Sequence, residues 1–223
     1  MGRMISDWQP LLLTFKLASF TTCILIIVGV PFAWWLSSSS LRIRPAIEAI
    51  VSLPLVLPPS VLGFYLLIAF SPENFFGRWL DQNIGLHLAF SFKGLVIASV
   101  IYSFPFLVQP VQSAFKSLPR SLTEASQVLG NGKVRTFLCV QLPNIKPALL
   151  AGTVMAFAHT VGEFGVVLMI GGNIPGQTRL ASIAIYDEVE ALNYQTANFY
   201  ALVLVVISFL ILLSLYIVNR QDK

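Results

Sequence analysis

The chain alternates between long apolar runs and short charged connections. Stretches free of Asp, Glu, Lys and Arg cover 17–41, 49–72, 94–115, 147–162, 164–178 and 191–219. A bilayer core takes about 20 apolar residues per helix, so the first three runs and the last are each long enough to span it. The fourth and fifth are divided only by Glu163, and joined they predict one helix. The pattern thus predicts five spans, near 11–36, 47–70, 92–114, 144–170 and 197–218. The half-polar stretch from Thr178 to Tyr194 reads as a re-entrant segment or a short helix. The first run is too long for a signal peptide, lacks a small-residue cleavage site and is followed by further spans, so it is expected to stay as an anchor.

Composition narrows the class. Of 223 residues, 56% are hydrophobic and 11% charged, with mean hydropathy +0.79. A soluble domain is about 25% charged, and a core of this size could not hide so much apolar surface. A soluble enzyme, a disordered chain and a nucleic-acid-binding domain are excluded. What remains is an all-α, polytopic membrane protein. Cys23 and Cys139 are too few and too far apart for a metal site or a disulfide framework and read as small hydrophobes.

Charge placement predicts orientation. One set of connections holds Arg42, Arg44, Lys116, Arg120, Lys133, Arg135, Lys146, Arg220 and Lys223 against Glu48, Glu124 and Asp222. The opposite side holds Arg3, Lys16, Arg78, Lys93 and Arg179 against seven acids. The basic side is cytoplasmic by this rule. The N-terminus, 1–10, is then outside, a membrane domain covers 11–218, and the C-terminus, 219–223, is inside. Trp8 and Trp79 fall near the outer boundary and Trp34 and Trp35 near the inner one, where amphipathic rings settle.

Two stretches carry candidate chemistry. The second span contains Pro54, Pro58 and Pro59, which withdraw N–H partners from the carbonyls of Ile50, Pro54 and Leu55. Such carbonyls must face protein or water rather than lipid. The segment reads either as a kinked packing helix or as a broken helix along a translocation path. The connection between the third and fourth spans reads as helix, turn, helix. Ser121 and Glu124 have capping-box spacing, and Leu122, Ala125 and Leu129 form an apolar stripe. Gly130 suits a left-handed helix end. Val134, Leu138 and Leu142 share one face of the second helix, and Pro143 is expected in the first turn of the next span. An amphipathic pair joined to two spans can pass a push from a soluble partner into the membrane.

The same connection resembles the signature of binding-protein-dependent ABC importer permeases: Glu-Ala-Ala, three residues, Gly, nine residues, Ile-x-Leu-Pro. The chain has Glu124-Ala125-Ser126, Gly130 and Val140-Gln141-Leu142-Pro143 at that spacing. Three further segments resemble the tetrahedral-oxyanion branch, molybdate before tungstate or sulfate: Leu53–Gly63, Val161–Gly165 and Asn173–Arg179. The resemblance covers about residues 11–218 and implies a type I, methionine-importer-like helical bundle. It also implies coupling helices at 121–138, with Ser121, Glu124, Ala125, Leu129, Gly130 and Val134 engaging a cytoplasmic ABC ATPase dimer. The chain is expected to pair with a second copy, in a bacterial inner membrane. It carries no cofactor, and Mg-ATP belongs to the partner subunit. A periplasmic or lipid-anchored oxyanion-binding protein delivers the anion to outer loops 71–91 and 171–196, where Asn173, Gln177, Thr178 and Arg179 are the candidates.

His159 and Glu163 are one helical turn apart inside a span, and ionisable residues there mark function by default. A carboxylate on the path repels an oxyanion, so Glu163 reads as a paired structural or gate-forming residue rather than a substrate ligand, with His159 its expected partner. Together with Pro54, Pro58 and Pro59 they form the pathway candidates. Relatives often carry Arg where His159 stands. Gly130-Asn-Gly-Lys133 lacks the glycine gap and Lys-Ser/Thr ending of a phosphate loop, so the chain is not itself expected to hydrolyse ATP. A membrane-embedded enzyme would need more acids, His or Cys at one depth. A channel or secondary transporter would need inverted repeats or charged rings.

Overall fold

The computed structural model describes residues 7–221, and all regular structure in them is helical. The expected outer segment lies outside the described residues over 1–6, as does the expected inner tail over 222–223. The helices are α1 (Gln9–Ser38), α2 (Arg44–Val56), α3 (Pro59–Phe70), α4 (Phe75–Ile84), α5 (Phe92–Ser117), α6 (Arg120–Val128) and α7 (Lys133–Thr136). A π-helical turn, Phe137–Gln141, leads into α8 (Leu142–Asn144), followed by α9 (Lys146–Val161), α10 (Gly165–Gly171), α11 (Ala181–Glu190) and α12 (Tyr194–Gln221).

Helices α1, α5 and α12 are long and apolar enough to cross a membrane unbroken. α1 is apolar on every side, yet its faces differ. Toward the protein it buries Thr14, Leu17, Ala18, Thr21, Leu25, Gly29 and Ala33, at helical spacing. Toward the outside it shows Phe20, Ile27 and Val28. Hydrocarbon supplies no hydrophobic drive between helices, so close packing of small residues holds them and large apolar groups meet lipid. α1 lies along α5, and α9 packs against both. Leu17, Leu95, Ala98, Val166, Ile170 and Ile183 fill one end of the bundle, and Leu25, Ala33, Leu107, Val108, Val111 and Ala156 the other. α12 leans on α9 and α11 and turns Leu202, Val205, Phe209 and Leu210 outward.

The expected span at 47–70 is two helices that meet at 113°. Consecutive prolines explain the break. Pro58 keeps Leu57 out of the helical region, and Pro59 does the same to Pro58. Leu57 and Pro58 are accordingly extended, at ψ 135° and 137°. Pro54 stays inside α2, and Pro59 opens α3, where a missing N–H costs nothing. Polar contacts tie α2 to α5. Glu48 Oε1 accepts from Gln112 Nε2 at 2.6 Å, Arg44 Nε at 3.1 Å and Lys116 Nζ at 3.1 Å.

The expected helix at 144–170 is interrupted too. α9 ends at Val161, Gly162–Phe164 are non-helical, and α10 begins at Gly165. Pro143 is not in the first turn of this helix but in α8, and Pro147 takes that first-turn place; the chain bends by 78° between them. The stretch from Thr178 to Tyr194 contains α11, a ten-residue helix. At 1.5 Å per residue it reaches about 15 Å, half the hydrocarbon thickness.

The segment 120–141 folds as a bent pair. α6 begins at Arg120 with Pro119 as its cap, so Ser121 and Glu124 form no capping box. Pro119 presets the entry one residue earlier. The far end is a Schellman turn: Gly130, at φ +80°, donates to Gln127 O (2.9 Å), and Asn131 N–H to Ser126 O (3.1 Å). The two arms are pinned by buried hydroxyls, Ser126 Oγ and Thr136 Oγ1, 2.9 Å apart. Ser126→Ala should therefore cost about 1–3 kcal/mol by stranding the Thr136 hydroxyl. Adding Thr136→Val should restore part of that loss. Thermal unfolding of the two variants in detergent measures the coupling, and simple additivity would dismiss it.

Candidate functional site

The two helix breaks face each other. A Cβ on Gly165, at the start of α10, would lie 2.7 Å from Pro59 Cβ at the start of α3, so only glycine permits this approach. Beside the contact is a cavity of about 620 Å³, lined by Pro59, Ser60, Tyr102, His159, Glu163 and Gly165. Of the pathway candidates, Pro59, His159 and Glu163 line this cavity. Pro58 sits in the adjoining break, and Pro54 is buried one turn earlier in α2.

His159 and Glu163 are not partners. The helix ends between them, which removes the one-turn geometry their spacing promised. His159 Nδ1 lies 2.9 Å from Ser103 Oγ, and its ring stacks on Phe106 at 3.9 Å between centroids. Glu163 Oε2 accepts from Ser99 Oγ at 2.9 Å, while Oε1 has no partner among the described residues. Ser182 Oγ donates to the Glu163 carbonyl at 2.7 Å. The residues missed in the sequence are Ser99 and Ser103 of α5. Their i, i+4 spacing, two hydroxyls on one face in the apolar middle of the span, was the available signal.

The bent pair presents its apolar side chains outward. Val128 is 87% exposed, Leu129 80% and Val134 67%. Ala125, Leu138 and Glu124 are exposed as well, and Ser126, Thr136 and Phe137 form the inner face. The pair is tied to the spans through Gln141 in the π-helical turn. Gln141 Nε2 donates to Thr123 Oγ1 on α6 at 3.0 Å, and Gln141 Oε1 accepts from Trp34 Nε1 on α1 at 2.7 Å. π-helical turns recur at functional positions. Gln141 occupies the unspecified position of the signature, so nothing in the pattern singled it out.

Three of the four outer-loop candidates are engaged internally. Thr178 is fully buried, donating to Gly171 O at 2.6 Å and accepting from Ile174 N–H at 2.9 Å. Asn173 Nδ2 donates to both Asp187 oxygens, at 3.2 and 2.9 Å. Arg179 Nη2 lies 3.2 Å from Asp187 and 3.7 Å from Glu188. Gln177 faces outward. No group of three or more His, Cys, Asp or Glu side chains able to hold a metal ion occurs among the described residues.

Comparison with known proteins agrees with this architecture. Residues 19–221 match the family model for the binding-protein-dependent transport system inner membrane component. The molybdenum transport system permease protein ModB of Azotobacter vinelandii is 49% identical over 215 residues, 96% of this chain and 95% of that protein. The ModB of Escherichia coli K12 is 35% identical over 82% of this chain and 80% of its own. The sulfate transport system permease protein CysT of Salmonella typhimurium is 34% identical over 85% of this chain and 68% of its own. Among solved structures, a bacterial ABC transporter involved in alginate import superposes with a TM-score of 0.80 at 17% identity, over 98% of this chain and 80% of that one. The MetNI methionine ABC transporter superposes at 0.67 and 20% identity, over 97% and 94%. The helical bundle is thus that of type I importer permeases, and the chain, a multi-pass inner-membrane transport permease, belongs to the family of binding-protein-dependent transport system inner membrane components.

Proposed function

We propose that this chain is the membrane-spanning subunit of an ATP-driven importer of molybdate. The observation that carries the reading is the bent pair at 120–141. It displays Val128, Leu129 and Val134 to solvent and is braced to α1 through Gln141. Exposed apolar side chains on a rigid polar hairpin are a docking surface. The partner is an ABC ATPase dimer that binds Mg-ATP, and Ser121, Glu124, Ala125, Leu129, Gly130 and Val134 form the contact. The basic side of the membrane, which includes this hairpin, is cytoplasmic. Molybdate as cargo is supported by the 49% identity to a molybdenum permease along almost the whole chain. Tungstate and sulfate are the alternatives, and the 34% identity to sulfate permeases favours sulfate less.

The cycle rests on the resemblance to ABC importer permeases. A doubly charged oxyanion does not cross hydrocarbon: the ideal cost for one small ion is about 20 kcal/mol. It needs a polar path sealed on one side at a time. Two copies of the chain form the path between them. A periplasmic or lipid-anchored binding protein releases the anion to the outer loops, with Gln177 facing it and Asn173, Thr178 and Arg179 shaping the loop. ATP closes the motor, the bent pair moves, and the spans rock from inward-open to outward-open. The breaks at Leu57–Pro58 and Gly162–Phe164, the second containing Glu163, with Pro54, Pro59 and His159 beside them, form the gate.

Uptake of labelled molybdate into vesicles holding the permease, its ATPase and the binding protein should require ATP and yield to excess tungstate before sulfate. Uphill import without the ATPase would reject the mechanism. Gly130→Leu should strain the left-handed turn by about 1–2 kcal/mol and lower import while ATP hydrolysis persists; intact import in that variant would remove the role of the bent pair. His159→Ala with Glu163→Ala should impair uptake at normal protein level, and unchanged uptake would take these residues out of the gate.

A further inference from the structure

A second cavity, of about 670 Å³, lies between the bent pair and the ends of the spans. Arg44 at the start of α2, Lys116 at the end of α5 and Arg120 on α6 all line it. Glu48 answers two of these cations, and both reach the same oxygen, Oε1, which Gln112 also occupies. Arg120 has no carboxylate partner among the described residues. Glu124 lines the cavity as well. Three positive side chains against two negative ones leave one positive charge in excess. The lining is mostly polar, with Ser39 and Thr123 hydroxyls among it and the Trp34 indole at its edge.

An excess of basic side chains between helix ends, at the depth where a tryptophan marks the membrane boundary, suits an anionic headgroup. The planar guanidinium fork of arginine matches a phosphate with two parallel hydrogen bonds. Arg120 keeps such a fork without a carboxylate partner among the described residues, and Arg44 adds a single nitrogen, Nη2, since its Nε is on Glu48 and its Nη1 donates to Ser39 O at 3.2 Å. We infer that this cavity binds a tetrahedral phosphate-type anion, supplied by an anionic lipid headgroup or by a free anion of the same shape. Its place in the cytoplasmic leaflet rests on the orientation proposed above. Gln141 and Thr123 belong to the same wall. An anion held there bridges α2 and α5 to α6 and stiffens the joint through which the bent pair pushes on α1.

The test uses the intact permease–ATPase complex. Native mass spectrometry after extraction from phosphatidylglycerol-containing vesicles should find one such lipid retained per permease copy. Arg44→Gln with Arg120→Gln should weaken retention at least roughly tenfold. Glu48→Gln should strengthen it, because it leaves the cations without their counter-charge. A variant that merely damaged the fold would not tighten binding. A second arm titrates inorganic phosphate into delipidated complex by calorimetry. Phosphate that displaces phosphatidylglycerol supports one shared site. Phosphate binding that follows both charge changes while lipid retention does not assigns the site to the free anion. If neither ligand responds in opposite directions to the two charge changes, the inference is overturned. A complex that moves no molybdate leaves this outcome untouched, so the two readings fail separately.

Discussion

Hydrocarbon offers no water to a free carbonyl or amide, and that constraint decides where this chain can break. The two interruptions, Leu57–Pro58 and Gly162–Phe164, adjoin each other, with Gly165 seated on Pro59; Glu163 is buried there, while Pro58, Pro59 and Gly162 are exposed on the single chain, where protein or water rather than lipid must meet them. The half-helices that follow, α3 and α10, pack together, and α10 also packs on α5. The irregular backbone is thus packed on α5, which in turn lies along α1, where small inward residues permit close approach.

That arrangement gives the protein two polar centres in an apolar body. One lies where the breaks meet and holds Ser99, Ser103, His159, Thr160 and Glu163 in hydrogen bonds across α5 and α9. The other lies at the far end of the same helices, where Glu48, Gln112, Lys116 and Arg44 join α2 to α5. α5 contributes to both, and α9 leads directly into the bent pair through α8 and the π-helical turn. The bent pair is thus continuous along the chain with the elements that line the cavity.

Much of the fold was legible in the sequence, because run length is a direct consequence of bilayer thickness. α1, α5 and α12 needed nothing more. Gly130 was legible for a local reason, since only the left-handed turn explained a glycine there, and it has φ +80°. The breaks were harder. Three prolines in the second span announced a disturbance, yet tandem Pro58-Pro59, not Pro54, determined its place, through the restriction each imposes on the residue before it. The interruption at Gly162–Phe164 had no proline to mark it, and hydropathy counts Glu163 as a blemish in a helix rather than as its end. The capping box at Ser121 was a pattern without the geometry, because Pro119 had already started the helix. Arg179 and Asn173 stood out only as outer-loop candidates, because Asp187, which holds both, comes to them through the fold.

The π-helical turn has a consequence for how the protein can change over time. Its wider winding holds one residue more than an α-helix fits in the same length, and Gln141 reaches both Trp34 and Thr123 from that phase. Losing a single residue between Phe137 and Gln141 would tighten the winding to an α-helix, keeping the flanking helices in phase but removing the extra position that the wider turn provides. Substitutions in this turn are tolerable wherever they keep both the count and the Gln141 side chain, whereas losing either the extra residue or that amide loosens the hairpin from the bundle.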